Sequence, residues 1–150
     1  MEPSKFCEVA GFLLTARPDA AGVRSAVGRA YYALYHVVSQ RLTARGFRLL
    51  VKRPEWHESV YRILANSSNT QLQAIALSLN ELRHSRNRAD YDLDDRSIEA
   101  LDSARVIVED TSAAISSFDE LCKDDAGMAR NGRFCSQDPP DRRTPQVVHE

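Results

Sequence analysis

The chain has 150 residues, a length typical of one domain. Hydrophobic residues make up 43% of it and charged residues 27%, which is enough apolar material for a core. The formal net charge of −1 excludes a globally basic nucleic-acid-binding protein, although it leaves room for a local basic patch.

No apolar run reaches the ~18 residues that a membrane span needs, and the N-terminus lacks the basic start of a signal peptide. The composition therefore predicts a cytoplasmic protein that does not associate with a membrane. Three widely spaced cysteines, with no histidine grouped beside them, predict neither a disulfide framework nor a zinc site. We predict no metal and no cofactor.

Hydrophobic periodicity predicts five helices. Apolar residues recur every three or four positions at 4–16, 19–45, 54–66 and 70–90, and from just after residue 95 to 121. Asp19 is a plausible N-cap and Gly46 a plausible C-cap of the second helix, while Asn69 or Thr70 caps the fourth. The fold class is therefore all-α, an up-and-down bundle of four to five helices over residues 1–122.

Residues 123–150 have a different composition. Glycines and prolines interrupt any period there, and charges of both signs are balanced. This is typical of a flexible polar tail.

The second helix carries a candidate binding ridge. Arg29, Tyr32 and His36 share one side of it by the three-and-four rule, next to the apolar face that contains Tyr31. An arginine, a phenol and an imidazole in line can bind a phosphate. Alternatively, Arg29 pairs with a carboxylate and the tyrosines only fill the core.

The end of the fourth helix carries a second candidate. Arg86 continues the apolar stripe one turn after Leu82, and an arginine on a core-facing seam must either be paired or serve a ligand. A guanidinium binds phosphate through two parallel hydrogen bonds, and Arg83 and Asn87 lie close by in sequence. The alternative is an internal ion pair between Arg86 and Asp90, four residues later.

Other polar residues give weaker signals. Asp92, Asp94 and Asp95 do not follow a calcium-loop pattern, and we expect them to cap the fifth helix. His57 and His84 are isolated in sequence and are expected to be ordinary surface or partly buried histidines. The connector between the second and third helices is basic and would attract phosphates. Its cationic residues are Arg41, Arg45, Arg48, Lys52 and Arg53.

At these segments the sequence resembles the HEPN superfamily, named for nucleotide-binding members in higher eukaryotes and prokaryotes. The stretch from Arg29 to His36 resembles the family's Arg-x-Tyr-Tyr-Ala-x-x-His pattern in the second helix. His57 resembles a histidine early in the third helix, and the stretch from Arg86 to Tyr91 resembles Arg-x-x-Ala-Asp-Tyr at the end of the fourth. The resemblance covers roughly residues 4–121.

The resemblance implies a helical bundle that forms a homodimer. Many HEPN proteins are metal-independent endoribonucleases of toxin–antitoxin or defence systems, and some act with a nucleotidyltransferase-type partner. Their arginine holds the scissile phosphate and a histidine four to six residues later moves the proton. Here Tyr91 stands at that histidine's place, and a phenol is a poor proton acceptor at neutral pH. Tyr35 and Val37, expected to be exposed, would support a dimer.

Three hypotheses follow. In the first, the protein binds RNA or a nucleotide phosphate and acts with a partner in a toxin–antitoxin or defence-type system. The binding residues would be Arg29, Tyr32, His36, Arg83, Arg86, Asn87 and Asp90. In the second, it is a metal-independent endoribonuclease with Arg86 and Tyr91 as catalytic residues. In the third, it is a structural interaction module in which Arg29, Asp90 and Tyr91 form a buried polar network.

Overall fold

A computed structural model describes residues 1–49 and 56–123, which contain five α-helices, one 3₁₀ helix and no strand. The α-helices are α1 Lys5–Ala16, α2 Ala20–Ala44, α3 Trp56–Ala65, α4 Thr70–Tyr91 and α5 Leu101–Lys123, and the 3₁₀ helix is Arg96–Glu99. The predicted all-α bundle is confirmed. The predicted tail lies outside the described residues, except that Lys123 is the last residue of α5. None of the helices in these two ranges is long and apolar enough to cross a membrane.

The helix α2 is the centre of the bundle, because it packs against α1, α4 and α5. The apolar stripe predicted for it is buried, with Tyr31 and Leu34 at its middle. Because neighbours lie on several sides of α2, residues beyond the predicted stripe are buried too. Tyr35 and Val37 are only 2% and 5% exposed, so their predicted exposure is wrong.

The ends of α2 follow from its sequence. The Asp19 side chain accepts a hydrogen bond from the Gly22 amide at 2.9 Å, as expected for an N-cap. At the other end Gly46 has a φ of +86°, a left-handed conformation that favours glycine. The amides of Gly46 and Phe47 donate to the carbonyls of Thr43 and Leu42, the bonding pattern of a Schellman motif.

The start of α4 follows the prediction, because the Asn69 side chain accepts hydrogen bonds from the amides of Gln71 and Leu72 and is its N-cap.

The connection from α4 to α5 contains a 3₁₀ helix that the periodicity did not predict. After α4, the Asp95 side chain accepts from the Ser97 amide at 3.0 Å and caps the 3₁₀ helix. The acidic segment was expected to cap the fifth helix, but Asp95 caps the 3₁₀ helix instead, and α5 begins at Leu101.

A buried arginine that sequence analysis missed holds this connection in place. Arg24 of α2 is 8% exposed, and its Nε donates to Glu99 Oε1 at 2.8 Å. Its two terminal nitrogens donate to backbone carbonyls at the end of α4 and in the following turn. These acceptors are Arg88, Ala89, Asp92, Leu93 and Asp95. The guanidinium thus supplies donors to a group of carbonyls at the end of a helix, where the intrahelical donors run out.

Candidate phosphate-binding site

Most of the predicted site residues meet where the last turns of α4 lie against α2. The approach is close: a β-carbon built on Gly28 of α2 would lie 3.7 Å from the carboxylate of Asp90 on α4. Rings and guanidinium groups from α1, α2 and α4 contact one another there. We call this set the arginine–aromatic cluster; it consists of Phe6, Arg29, Tyr32, His36, Arg86 and Tyr91.

Arg86 is the best-fixed cation of the arginine–aromatic cluster. Its Nη2 donates to the Tyr32 hydroxyl at 3.0 Å and its Nη1 to Asn87 Oδ1 at 3.1 Å. Its Nε lies 2.7 Å from Asp90 Oδ2, which confirms that the pair predicted as the alternative forms. The guanidinium carbon is 5.6 Å from the ring centre of Tyr32 and 5.0 Å from that of Tyr91. The side chain is held on several sides but stays 19% exposed.

The predicted ridge on α2 is a continuous stack. The Tyr32 and His36 rings are 5.8 Å apart with an interplanar angle of 19°, and Phe6 of α1 lies 5.7 Å from His36. The Arg29 guanidinium carbon lies 5.5 Å from the ring centre of Phe6 and 5.7 Å from that of Tyr32. Arg29 forms no ion pair with a carboxylate of residues 1–49 or 56–123, so it is held by rings rather than by the acid that the alternative interpretation required.

A tyrosine–histidine pair lies beside these arginines. The hydroxyl of Tyr31 is 2.6 Å from Nδ1 of His57, which α3 brings over α2. Burial lowers the pKa of His57, and the positive charges of Arg86 and Arg83 lower it further. Burial also raises the pKa of Tyr31. An uncharged imidazole is therefore favoured close to two guanidinium groups.

Arg83 is less constrained than Arg86. Its Nη2 donates to Asn80 Oδ1 at 3.2 Å, and no carboxylate within the described part of the chain pairs with it. With Arg29 and Arg86 it gives the site three cations, and within residues 1–49 and 56–123 Asp90 is the one carboxylate that pairs with any of them. The site is locally positive in a chain whose formal net charge is −1.

Some predicted residues lie at the rim rather than inside the site. Tyr91 is 73% exposed, and Asp90, Asn87 and His84 are exposed as well. The third hypothesis required Arg29, Asp90 and Tyr91 to be buried together, and this is wrong because all three are exposed. The last turn of α4 reaches the surface of the bundle, so side chains there contact solvent.

The basic connector is partly engaged within the bundle. Arg41 pairs with Asp119 of α5 at 3.0 Å, and Arg45 donates to the carbonyl of Cys122. Arg48 is exposed, while Lys52 and Arg53 lie outside the described residues. Among the connector residues that the structure describes, Arg48 is thus the cation without an ion pair or hydrogen bond to α5.

The tyrosine–histidine pair is the main feature of the site that the sequence did not predict. The only signal for it was the motif match of His57, since its partner lies 26 residues earlier in the chain. Across the described ranges, no three His, Cys, Asp or Glu residues are grouped closely enough to hold a metal ion. The functional groups of the site are guanidinium, phenol and imidazole groups.

A scan against protein-family models found no match, and searches of the curated proteins and of the solved structures found none either. The function is therefore argued from the geometry of this site and from the motifs described above.

Proposed function

We propose that this protein binds a phosphate group of RNA or of a nucleotide through Arg86, Arg83 and Arg29. The observation that carries the proposal is the state of Arg86. A guanidinium has five N–H groups, and in Arg86 each terminal nitrogen donates a hydrogen bond to an uncharged oxygen, that of Tyr32 or of Asn87, while the side chain stays 19% exposed. A phosphate binds such a pair of terminal nitrogens through two parallel hydrogen bonds.

The fold itself contains a structural arginine for comparison. Arg24 is buried, and its five N–H groups reach six acceptors, one carboxylate oxygen and five carbonyls, with the two N–H groups of Nη1 shared among three carbonyls. Arg86 is more exposed and is oriented by two aromatic rings, and Arg83 beside it lacks a carboxylate. A side chain that only fixed helix packing would be expected to resemble Arg24, so the contrast favours a ligand.

Binding of an end-labelled, mixed-sequence single-stranded RNA at low salt tests this proposal. Charged hydrogen bonds contribute about 1.5–3 kcal/mol each, so Arg86→Ala should weaken binding about tenfold or more. Arg83→Ala should weaken it in the same direction. Arg105→Ala is the matched control, since Arg105 is an exposed arginine on α5 that pairs only with Asp102. Equal loss in the control, or no binding by the wild type, would refute the proposal.

RNA cleavage is a second candidate, favoured by the position of His57. With a phosphodiester held at Arg86, His57 would take the proton of the ribose 2′-hydroxyl, and that oxygen would attack phosphorus. The bond to the 5′-oxygen then breaks, this oxygen gains a proton, and a 2′,3′-cyclic phosphate remains. Such general base catalysis commonly contributes 10²–10⁴-fold, roughly, to a rate. This assigns to His57 the role that the resemblance suggested for the position of Tyr91.

Incubation of labelled RNA with the protein in excess EDTA tests this second candidate. Wild-type protein should produce cyclic-phosphate ends, and Arg86→Ala and His57→Ala should not. Tyr91→Phe distinguishes the two proton acceptors, because it removes the phenol but keeps the ring against Arg86. If Tyr91→Phe abolished cleavage while His57→Ala retained it, Tyr91 would be the catalytic residue.

The homodimer, the nucleotidyltransferase-type partner and the toxin–antitoxin or defence role remain proposals that come from the HEPN resemblance. Exposed apolar side chains on two neighbouring helices support an interface: Val9 and Phe12 of α1 are 46% and 67% exposed, and Val106 of α5 is 53% exposed. Light scattering on purified wild-type protein and on Phe12→Glu would test the dimer. A monomeric wild type would contradict it.

A further inference from the structure

A groove of about 630 Å³ runs along α2 beside the N-terminal segment and α1. Rings form one part of its wall, polar side chains a second, and the apolar residues Met1, Pro3, Ala44 and Leu49 the rest. The rings are Phe6, Tyr35 and His36, and the polar residues are Ser39, Gln40 and Thr43. We call it the α1–α2 groove.

The α1–α2 groove is continuous with the proposed phosphate site. Phe6 and His36 line the groove and also belong to the arginine–aromatic cluster. Arg29 lies over the ring of Phe6, and both Arg29 and Arg86 lie within 6 Å of the Tyr32 ring centre, at 5.7 and 5.6 Å. A ligand whose phosphate contacts these guanidinium groups would therefore have its adjoining part at the mouth of the groove.

We propose that the α1–α2 groove binds a nucleobase of the same ligand whose phosphate is held by Arg29 and Arg86. This rests on the proposed function and names its ligand more closely, as an unpaired nucleotide or single-stranded RNA. A base has flat faces that stack on Phe6 and His36, and polar edges that an aliphatic group lacks. The groove offers both kinds of partner.

The polar wall supports a base rather than a purely apolar occupant. Ser39 contributes a hydroxyl to this wall, beside the phenol of Tyr35. Gln40, one residue on, is exposed at the groove and carries an amide with both donor and acceptor groups. Donors and acceptors of this kind match the edge of a base. Because a base in a duplex is stacked and paired, only an unpaired base can enter.

The test compares two oligomers with equal numbers of phosphates. One is a four-nucleotide oligoadenylate, and the other is the same backbone without bases; binding of each is measured by calorimetry at low salt. Stacking of a base on aromatic side chains is worth about 1–3 kcal/mol, so the wild type should prefer the oligoadenylate by about 5- to 150-fold.

Two variants test whether that preference arises from the groove. Gln40→Trp and Thr43→Trp each fill the groove from an exposed position, so the fold should tolerate them. Both should reduce the preference toward 1 while leaving the affinity for the abasic oligomer largely intact. Leu77→Trp is the control for added tryptophan surface, since Leu77 is 59% exposed on α4 and does not line the groove.

The outcomes separate this inference from the proposed function. Equal wild-type affinity for the two oligomers would overturn the base site and leave the phosphate site standing. A preference that survives both Gln40→Trp and Thr43→Trp would overturn its location in the groove. Failure of the wild type to bind either oligomer would overturn the proposed function and the base site with it.

Discussion

The contact between Tyr31 and His57 shows what a single pair of residues adds to the site. The phenol and the imidazole meet at 2.6 Å, and Tyr35 packs its ring 4.6 Å from the same histidine. Their surroundings favour the uncharged form of both groups, because burial raises the pKa of Tyr31 and lowers that of His57. A neutral imidazole can accept a proton, which is the state that the cleavage candidate requires.

This pair predicts a pH dependence of stability. A histidine whose pKa is lowered on folding binds protons more readily in the unfolded chain, so the free energy of unfolding should fall as the pH drops below about 6.5. Burial lowers the pKa of His36 too, so it acts in the same direction. Urea unfolding at pH 7.5, 6.5 and 5.5 should show this loss, and His57→Gln should reduce it.

The carboxylates with lowered pKa values titrate below the range of pH 7.5 to 5.5, so they do not interfere with this measurement. The pKa of Asp95 is lowered to about 2, chiefly by its hydrogen bond from Arg88, and its stabilising effect is lost only as the pH falls through that value. The pKa of Asp19 is also lowered. A wild-type stability that is constant between pH 7.5 and 5.5 would contradict the histidine prediction.

At the scale of elements, Gly22 and Gly28 of α2 differ in what a side chain at each position would contact. A glycine inside a helix weakens it by up to about 1 kcal/mol relative to alanine. A β-carbon on Gly22 would lie 1.8 Å from the carbonyl oxygen of Arg17, whereas one on Gly28 would make an ordinary contact at 3.7 Å with Asp90. Gly22 is therefore required by the tight turn between α1 and α2, and Gly28 is not required for packing.

The two alanine substitutions should change stability in opposite directions. Gly28→Ala should raise the free energy of unfolding by about 0.5–1 kcal/mol, since it restricts the unfolded chain without a clash. Gly22→Ala should lower it by about 1–3 kcal/mol, the usual cost of overpacking. Guanidinium chloride unfolding measures both. A stabilising Gly22→Ala would show that the turn can move.

Arg24 holds the connection between α4 and α5 in place, and this role gives a further prediction. Arg24→Ala leaves Glu99 without its cation and removes one donor from each of the carbonyls that Arg24 reaches, and breaking a buried pair costs about 3–5 kcal/mol. Arg105→Ala, an exposed arginine, should change the free energy of unfolding by less than about 1 kcal/mol. A thermal melt of each variant decides this, and similar melting temperatures would contradict the structural role of Arg24.

For the whole molecule, the balance of charge constrains how RNA can bind. A formal net charge of −1 provides no general attraction for a polyanion, so affinity must come from the three arginines of the site. With three phosphate contacts to a single strand, the logarithm of the binding constant should fall with that of salt concentration at a slope of roughly −2.

Each arginine replaced by alanine should make that slope shallower by about 0.7. Titrations of labelled RNA between low and physiological salt, with Arg83→Ala and Arg105→Ala side by side, measure the change. A slope that is the same for wild type and Arg83→Ala would remove Arg83 from the phosphate contacts.

Sequence periodicity predicted most of the fold because the helices of a bundle are local structures. The bounds of α1, α2 and α4 differ from those predicted by one residue or so, since their caps are read from neighbouring residues such as Asp19, Gly46 and Asn69. The 3₁₀ helix was missed because four residues are too few to show a period. The burial of Tyr35 was missed because a single stripe was assigned to a helix that has neighbours on several sides.

By itself the sequence determined the all-α class, the ends of α1, α2 and α4, and the ridge of Arg29, Tyr32 and His36, because caps and residues three or four apart on a helix are neighbours whatever surrounds it. Only the tertiary structure decided which arginine is structural and which is open to a ligand. Arg24 and Arg86 are both arginines on helices, yet their partners lie up to 75 and 54 residues away in the chain. Contacts at such separations are set by how the helices pack, and no local pattern records them.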